Sequence, residues 1–446
     1  MCKHTTIHPR GTALRLDPGR TGPIGPTTGE DPATIGAQDH YTIISADTHA
    51  GGSHEQYREY LDPAYRDDFD AWRGAYKNPW KDLRDTDLRI RNWDDDRRDA
   101  DQLSDGVVGE VIFPNTVPPF YPGFVLFAGP PKPEDYEHRR AGIKAHNRWM
   151  VDFCNRQPER RAGIGQFFLN DLDDAIEDIT WIKEQNLRGG ILLPSVAPDV
   201  KWVEPIYSRV YDPLWAAIQD LDLVINLHSG TGSPDYGKHA ATPMLLISEV
   251  AFYGQRAFAH MIVGGVFERF PNLKFVFTEG SAAGLVPTIE GLDTVIGRIQ
   301  KGAIGELKYR PEDQIPHTAS YYFARNCWVG ASFPSIPDAE TRKIMGPDRY
   351  MWGSDYPHDE GTPPYTREHL RQVFPGVGES EMRAILGENA AKLYNFDLEA
   401  LKPWAEKYGP TVEEIAQPLT QLPENPNEPL LRVEEWKQRK APNFAA

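Results

Sequence analysis

Between residues 41 and 399, short apolar runs alternate with longer amphipathic stretches. Short runs rich in β-branched and aromatic residues, closed by turn formers or polar residues, read as buried strands. Eight such runs occur: YTIISA before Asp47, EVIFPN ending at Asn115, AGIGQFF ending at Phe168, GGILLP ending at Pro194, LVINLH ending at His228, LKFVFTE ending at Glu279, NCWVGAS ending at Ser332 and YMWGSD ending at Asp355. The stretches between them have helical spacing. In DLDDAIEDITWIKEQ, acidic residues occupy the first turn and apolar positions recur three and four apart. Strand and helix alternating in this way predict an α/β fold with a parallel sheet, and eight strands favour closure into a (β/α)8 TIM barrel over an open sheet.

The ends of the chain break this rhythm. Residues 1–40 are rich in Thr, Gly and Pro without periodicity, which predicts a flexible N-terminal arm ahead of a barrel domain over 41–399. Residues 400–446 carry a helical stretch, the Pro-rich run PLTQLPENPNEP and the charged segment LRVEEWKQRK, together predicting a C-terminal surface extension. The segment from about 50 to 108 is too long for a simple connection and predicts helical insertions near the barrel mouth. Its run Asp94–Asp96 lacks the glycine and terminal glutamate spacing of an EF-hand loop and reads as a solvated helix face.

Composition narrows the partners. A formal net charge of −17 repels phosphate backbones and anionic membranes, so a small-molecule substrate is expected, with no nucleic acid and no membrane partner. Three scattered cysteines, Cys2, Cys154 and Cys327, form neither a disulfide framework nor a thiolate metal site, which points to the cytoplasm. No apolar run approaches the ~18 residues of a membrane helix, and the N-terminus lacks the apolar segment of a signal peptide. The terminal extensions suggest a homodimer or larger homo-oligomer.

Candidate chemistry sits at strand ends. Asp47, His228, Glu279 and Asp355 each close an apolar run at its carboxyl end, which in a parallel barrel is the active-site face. Residues two apart in a strand share a face, so Asp47 and His49 can both lean over the mouth while Thr48 points elsewhere. Any one of these has a bland alternative, a hydrogen-bonded structural His or a turn-forming Asp. Four metal-competent side chains on one rim point instead to one divalent ion held by Asp47, His49, His228 and Asp355. Imidazole with carboxylate makes zinc the expected ion, with manganese or iron as alternatives. Asp355 and Glu279 are the candidate catalytic acid and base, and Asn115 and His358 the candidate substrate contacts. His260, inside an apolar helical pattern, reads as a buried hydrogen-bonded residue, and Arg325, at the start of the seventh run, as a structural ion-pair partner. Trp80, Trp93 and Trp328 suit either pocket wall or core.

These motifs also carry a resemblance. Over residues 42 to 396 the sequence resembles the amidohydrolase-related family that includes aminocarboxymuconate-semialdehyde decarboxylase and the resorcylate and carboxyvanillate decarboxylases. In that family the first strand ends in His-x-His or Glu-x-His, matched here by Asp47-Thr48-His49. The strand 5 His is matched by His228 in NLHSG, and the strand 8 Asp by Asp355 in WGSDYPH. VFERFPNLKFVFTEG and GENAAKLYNF resemble the family's strand 6 approach and C-terminal helix. Two positions depart: Asp47 is one methylene shorter than Glu, and Glu279 stands where the family's decarboxylases place a His. The resemblance implies a small cyclic or aromatic substrate bearing a carboxylate. Because Glu279 suits water activation, the leading expectation is a metal-dependent hydrolase using a metal-activated water. The alternatives are a non-oxidative decarboxylase with the same metal ligands and a catalytically silent binding protein.

Overall fold

The computed structural model describes residues 39–76, 86–123, 126, 128–194 and 196–439. Eight parallel strands pair in chain order: β1 (Ile43–Ala50), β2 (Val107–Pro114), β3 (Arg161–Gly165), β4 (Gly190–Leu192), β5 (Val224–His228), β6 (Lys274–Thr278), β7 (Cys327–Ser332) and β8 (Tyr350–Gly353). The circle closes where β8 meets β1. There the Asp355 amide donates to the Asp47 carbonyl at 2.9 Å and the His49 amide to the Tyr356 carbonyl at 2.7 Å. The architecture is the (β/α)8 barrel expected from the alternation of apolar runs.

Both faces of the sheet are buried, which is why the strands read as continuous apolar runs. Ile44, Ala46, Val111, Phe113, Ala162, Ile164, Leu192, Val224, Val276 and Met351 share one cluster inside the barrel. Their strand neighbours, among them Ile112, Ile225, Leu227, Phe275, Phe277 and Trp352, pack outward with helix residues such as Ile182, Trp215 and Phe258. Each such fully buried aliphatic or aromatic side chain contributes about 1.5–3 kcal/mol.

Several strands are shorter than the runs that foretold them. β3 stops at Gly165 and β4 at Leu192, so Phe168 and Pro194 stand in loops, while Asn115, Glu279 and Asp355 lie just past their strands. The segment before β2 forms the expected helices, His54–Tyr60, Arg66–Ala75, Thr86–Arg89 and Asp95–Ser104. Ser53 and Gln56 close a capping box at the first, and Asp94 caps the last through the Arg97 amide. The Asp94–Asp96 run is therefore a helix start, and Asp95 pairs with Arg156 and Arg161.

The N-terminal arm up to residue 38 and Trp80 lie outside the described residues. Trp93 and Trp328 are half-buried packing residues, Trp328 lying under the Arg349 guanidinium at 4.5 Å. Arg325 ends the helix Ala319–Asn326 instead of opening a strand. It donates to the Phe267 carbonyl and to Asn326, not to a carboxylate among the described residues. The C-terminal segment is docked: Leu401 is fully buried against β2, and Leu430 and Val433 are buried where Gln372 donates to the Leu430 carbonyl at 3.2 Å.

Candidate active site

A bulge in β1 aims the first two candidate ligands. Pairing with β2 steps from Ser45 opposite Glu110 to Thr48 opposite Ile112, so one extra residue enters β1 just before the site. Bulges re-aim side chains in this way next to functional sites. Asp47 and His49 turn toward the barrel mouth, and Thr48 turns away to donate to the Glu110 carboxylate at 2.9 Å. Gly353 makes the closing contact between β8 and β1 feasible, since a Cβ there would lie 2.7 Å from the Asp47 Cβ.

Five side chains from four segments then meet. His49 Nε2 lies 3.1 Å from Asp355 Oδ1 and 3.4 Å from Asp47 Oδ1. His228 Nε2 lies 3.7 Å from Asp47 Oδ1 and 3.1 Å from Glu279 Oε2. The rings of His49 and His228 stand edge to face with centroids 5.1 Å apart, and Phe113 packs against both. All five side chains lie together at the carboxyl ends of β1, β5, β6 and β8. Glu279 and Asp355 are held with left-handed backbone, φ 55° and 62°, a strained state that persists only where the surroundings impose it.

The donor atoms fit a cation. Asp47 Oδ1, His49 Nε2, His228 Nε2 and Asp355 Oδ2 are all buried without a hydrogen-bond partner. Orphaned buried polar atoms are costly, and a metal ion can satisfy them. The ligand atoms within 4.8 Å of one another belong to Asp47, His49, His228 and Glu279, while Asp355 groups with His49 and His358, so Glu279 stands in the fourth place expected of Asp355. His228 Nδ1 lies 3.1 Å from the Ser229 carbonyl, which places its proton there and leaves the Nε2 lone pair toward the site. Ser332 donates to Asp47 Oδ2, freeing Oδ1 for the same centre.

Electrostatics tell the same story. Burial drives the Asp47 carboxyl up, but the imidazoles of His49 and His228 overcome it and hold it well below the usual carboxylate range. Burial likewise disfavours charge on His49, yet the Asp47 and Asp355 carboxylates raise it to about 10. Glu279 is pushed up to about 8, chiefly by desolvation, with His228 opposing and Asp355 and Asp47 adding. Without an ion, the surplus of carboxylate is balanced by protons, and a divalent cation can take their place.

Behind the ligands lies a buried clamp. Arg98 donates to the His49 carbonyl at 2.8 Å and to Glu110 at 2.6 Å, and its guanidinium stacks on the Tyr356 ring at 4.9 Å. Glu110 also accepts from Gln102 and Thr48. One ion pair thus grips β1 beside His49 and the turn beside Asp355.

The remaining candidates fall into place around this core. His358 Nδ1 lies 2.8 Å from Asp355 Oδ1, and its Nε2 lies 3.2 Å from Asn115 Oδ1. Asn115 in turn donates to Asn92 at 2.6 Å. A cleft of about 240 Å³ opens beside Glu279 and Ser332, with Arg432 of the C-terminal helix Glu428–Gln438 on its wall. His260 is not enclosed as its apolar sequence context suggested. The helix Thr242–Val263 buries only Gly254, Phe258, Met261 and Ile262, so His260 stays half-buried, edge-on to Tyr207. Sequence reasoning also passed over Ser332, Asn92, Arg98 and Glu110. The one available signal was Glu110, a carboxylate inside the apolar run of β2.

Comparison with known proteins agrees with this fold. The sequence profile of the amidohydrolase family matches residues 86–396, a span that starts downstream of β1. Among solved structures, the chain is similar to 5-carboxyvanillate decarboxylase from Novosphingobium aromaticivorans, complexed with manganese and 4-hydroxy-3-methoxy-5-nitrobenzoic acid. That match has 19% identity and a TM-score of 0.60 over 81% of this chain and 97% of that one. It is similar to an amidohydrolase from Mycobacterium avium subsp. paratuberculosis, with 19% identity and a TM-score of 0.59 over 79% and 99% of the two chains. The 5-carboxyvanillate decarboxylase of Sphingomonas paucimobilis matches at 19% identity and a TM-score of 0.56, over 80% and 100%. These likenesses speak to the fold. With the profile covering most of the barrel, the chain belongs to the amidohydrolase family.

Proposed function

We propose that this protein is a metal-dependent non-oxidative decarboxylase of a small aromatic or unsaturated carboxylic acid. The observation that carries the metal-dependent reading is that Asp47, His49, His228 and Glu279 each offer a ligand atom within 4.8 Å of the others at the barrel mouth, with Asp355 beside them in a second group with His49 and His358. Relatives named as aromatic acid decarboxylases then favour this reaction over the hydrolysis that Glu279 suggested from sequence. A manganese ion suits the carboxylate-rich donor set and replaces the zinc expected first.

When bound, the divalent cation supplies a Lewis acid that draws charge from the substrate's oxygens. Asp355 and His358 hold a proton between Oδ1 and Nδ1 at 2.8 Å. Transfer of that proton from the pair to the ring carbon is followed by cleavage of the bond to the carboxylate carbon. The electron pair returns to the ring, carbon dioxide leaves, and solvent restores the proton. Asn115, bonded to His358, keeps that imidazole turned toward Asp355. Phe113 beside the two metal-facing imidazoles excludes water from one side.

The test is elemental analysis of the purified protein, followed by assay of the manganese-loaded form on a panel of ortho-hydroxybenzoates with carbon dioxide detection. Stoichiometric metal and carbon dioxide release support the reading. Products of hydrolysis from lactone or cyclic amide panels, without carbon dioxide from any acid, would reinstate the hydrolase. A silent binding protein would hold little metal and keep its ligand affinity in His228→Ala.

A further inference from the structure

A second cavity, of about 300 Å³, lies beside the mouth and outside the group of candidate ligands. One wall is the loop from Pro194 to Tyr207 that follows β4, and the other is a single face of the helix Thr242–Val263, with Tyr253, Arg256, Ala257 and His260 at helical spacing. Thr231 and Pro194 border both this cavity and a narrower hollow over β3 to β5 lined by Phe168 and Leu192. The Thr231 amide donates to the His228 carbonyl at 3.2 Å, so the cavity adjoins the segment that carries a candidate ligand.

Its chemistry differs from the rest of the molecule. In a chain of net charge −17, the cavity presents two cations, Lys201 and Arg256, against one exposed carboxylate, Glu204. Arg256 is half-buried and makes no hydrogen bond or ion pair among the described residues. Among the described residues, the Lys201 amine donates only to the Pro198 carbonyl, at 2.8 Å. Guanidinium is the side chain best matched to a carboxylate, which it can bind through two parallel hydrogen bonds. His260 adds no charge at neutral pH, since burial and then Arg256 push it down to about 4. With Tyr207, Tyr253 and His260 it supplies aromatic walls, and the volume is that of a small-molecule site.

We infer that this cavity is a binding site for a small aromatic carboxylate, held by Arg256 with Lys201 in support, where the acid is gathered before it reaches the barrel mouth. The role as a staging site rests on the decarboxylase reading; the binding itself does not. Calorimetric titration of the full chain with benzoate, and with benzamide as its uncharged counterpart, tests it. Benzoate is expected to bind at least about tenfold more tightly than benzamide. Arg256→Met is expected to remove at least about tenfold of benzoate affinity, Arg256→Lys to fall between Arg256→Met and the parent, and His228→Ala to leave it unchanged. Thermal melting of Arg256→Met should match the parent, because no described partner is lost. In turnover, Arg256→Met is expected to raise KM for an acid substrate with kcat kept. Absent benzoate binding, equal affinity for benzamide, or an unaltered Arg256→Met titration overturns the site. Loss of binding in His228→Ala would move benzoate to the metal centre and overturn it equally. Failure of carbon dioxide release with benzoate binding intact would strike only the reaction.

Discussion

The two halves of the candidate site are built differently. On the β1 and β8 side, Asp47, His49 and Asp355 have fully buried side chains, joined by two backbone hydrogen bonds across the closing seam and gripped from behind by Arg98 and Glu110. On the β5 and β6 side, His228 leans on the carbonyl of its own neighbour and Glu279 keeps 21% of its side chain exposed. Cavities of about 240 and 300 Å³ open next to this second half. The contrast separates two tasks: one half fixes donor atoms that must not move, and the other leaves room for what they act on. Preorganised ligands spare the site the cost of reordering when charge develops.

The contrast can be broken at several points. Asp355→Asn strikes the fixed half at its reacting group and is expected to lower kcat by roughly 10²–10⁴-fold, together with metal content, read by steady-state assay and elemental analysis. A variant with stoichiometric metal and near-parental kcat would remove Asp355 from the mechanism. Arg98→Met leaves the buried Glu110 carboxylate with Arg161, at 3.4 Å, as its one cation among the described residues and removes the bond to the His49 carbonyl, so it is expected to cost about 3 kcal/mol in urea unfolding, whereas Glu279→Gln on the open half should cost less than about 1 kcal/mol. Equal losses would erase the distinction between the halves.

Asp105 follows the helix that carries Arg98 and sharpens the same comparison through pH. Burial raises its carboxyl from 3.8 to about 7, although the Thr366 amide donates to it at 2.9 Å. The folded state keeps this proton up to about pH 7, while the unfolded chain releases it near pH 4. Its contribution to stability is therefore greatest below pH 4, falls as pH rises from 4 to 7, and stays at its minimum above 7. Asp105→Asn should match the parent at pH 4 and exceed it by about 2–4 kcal/mol at pH 8, as followed by urea unfolding across that range. Parallel curves would show that the group is solvated. The smallest effect belongs to Ser332→Ala. Losing the hydroxyl that orients Asp47 should weaken manganese affinity about tenfold, measured by competition with a chelator, with little change in melting temperature of the metal-free protein.

Much of this arrangement was legible before any coordinates. Strands buried on both faces must be apolar along their length, so YTIISA and LVINLH announced themselves, and the polar residue ending each run marked the active face. The outcome at His260 shows the limit: an apolar context predicts burial only if the helix packs along its whole length, and this one does not. Arg325 failed for a related reason, because the helix ran to Asn326 and moved the strand start past it.

The sequence by itself determined the barrel, the strand-end position of His228, Glu279 and Asp355, and the acidity of the chain, since all follow from local periodicity and composition; β1 runs on to Ala50, so Asp47 and His49 lie within it. Only the tertiary structure decided that Ser332 and Arg98 serve the β1 ligands, that Asn115 and His358 bond to one another, and that Arg256 lines a cavity with no ion pair among the described residues. Those relations depend on contacts between residues 49 to 285 positions apart. A one-residue bulge in β1 or the lean of one helix changes them while leaving the hydrophobic pattern untouched.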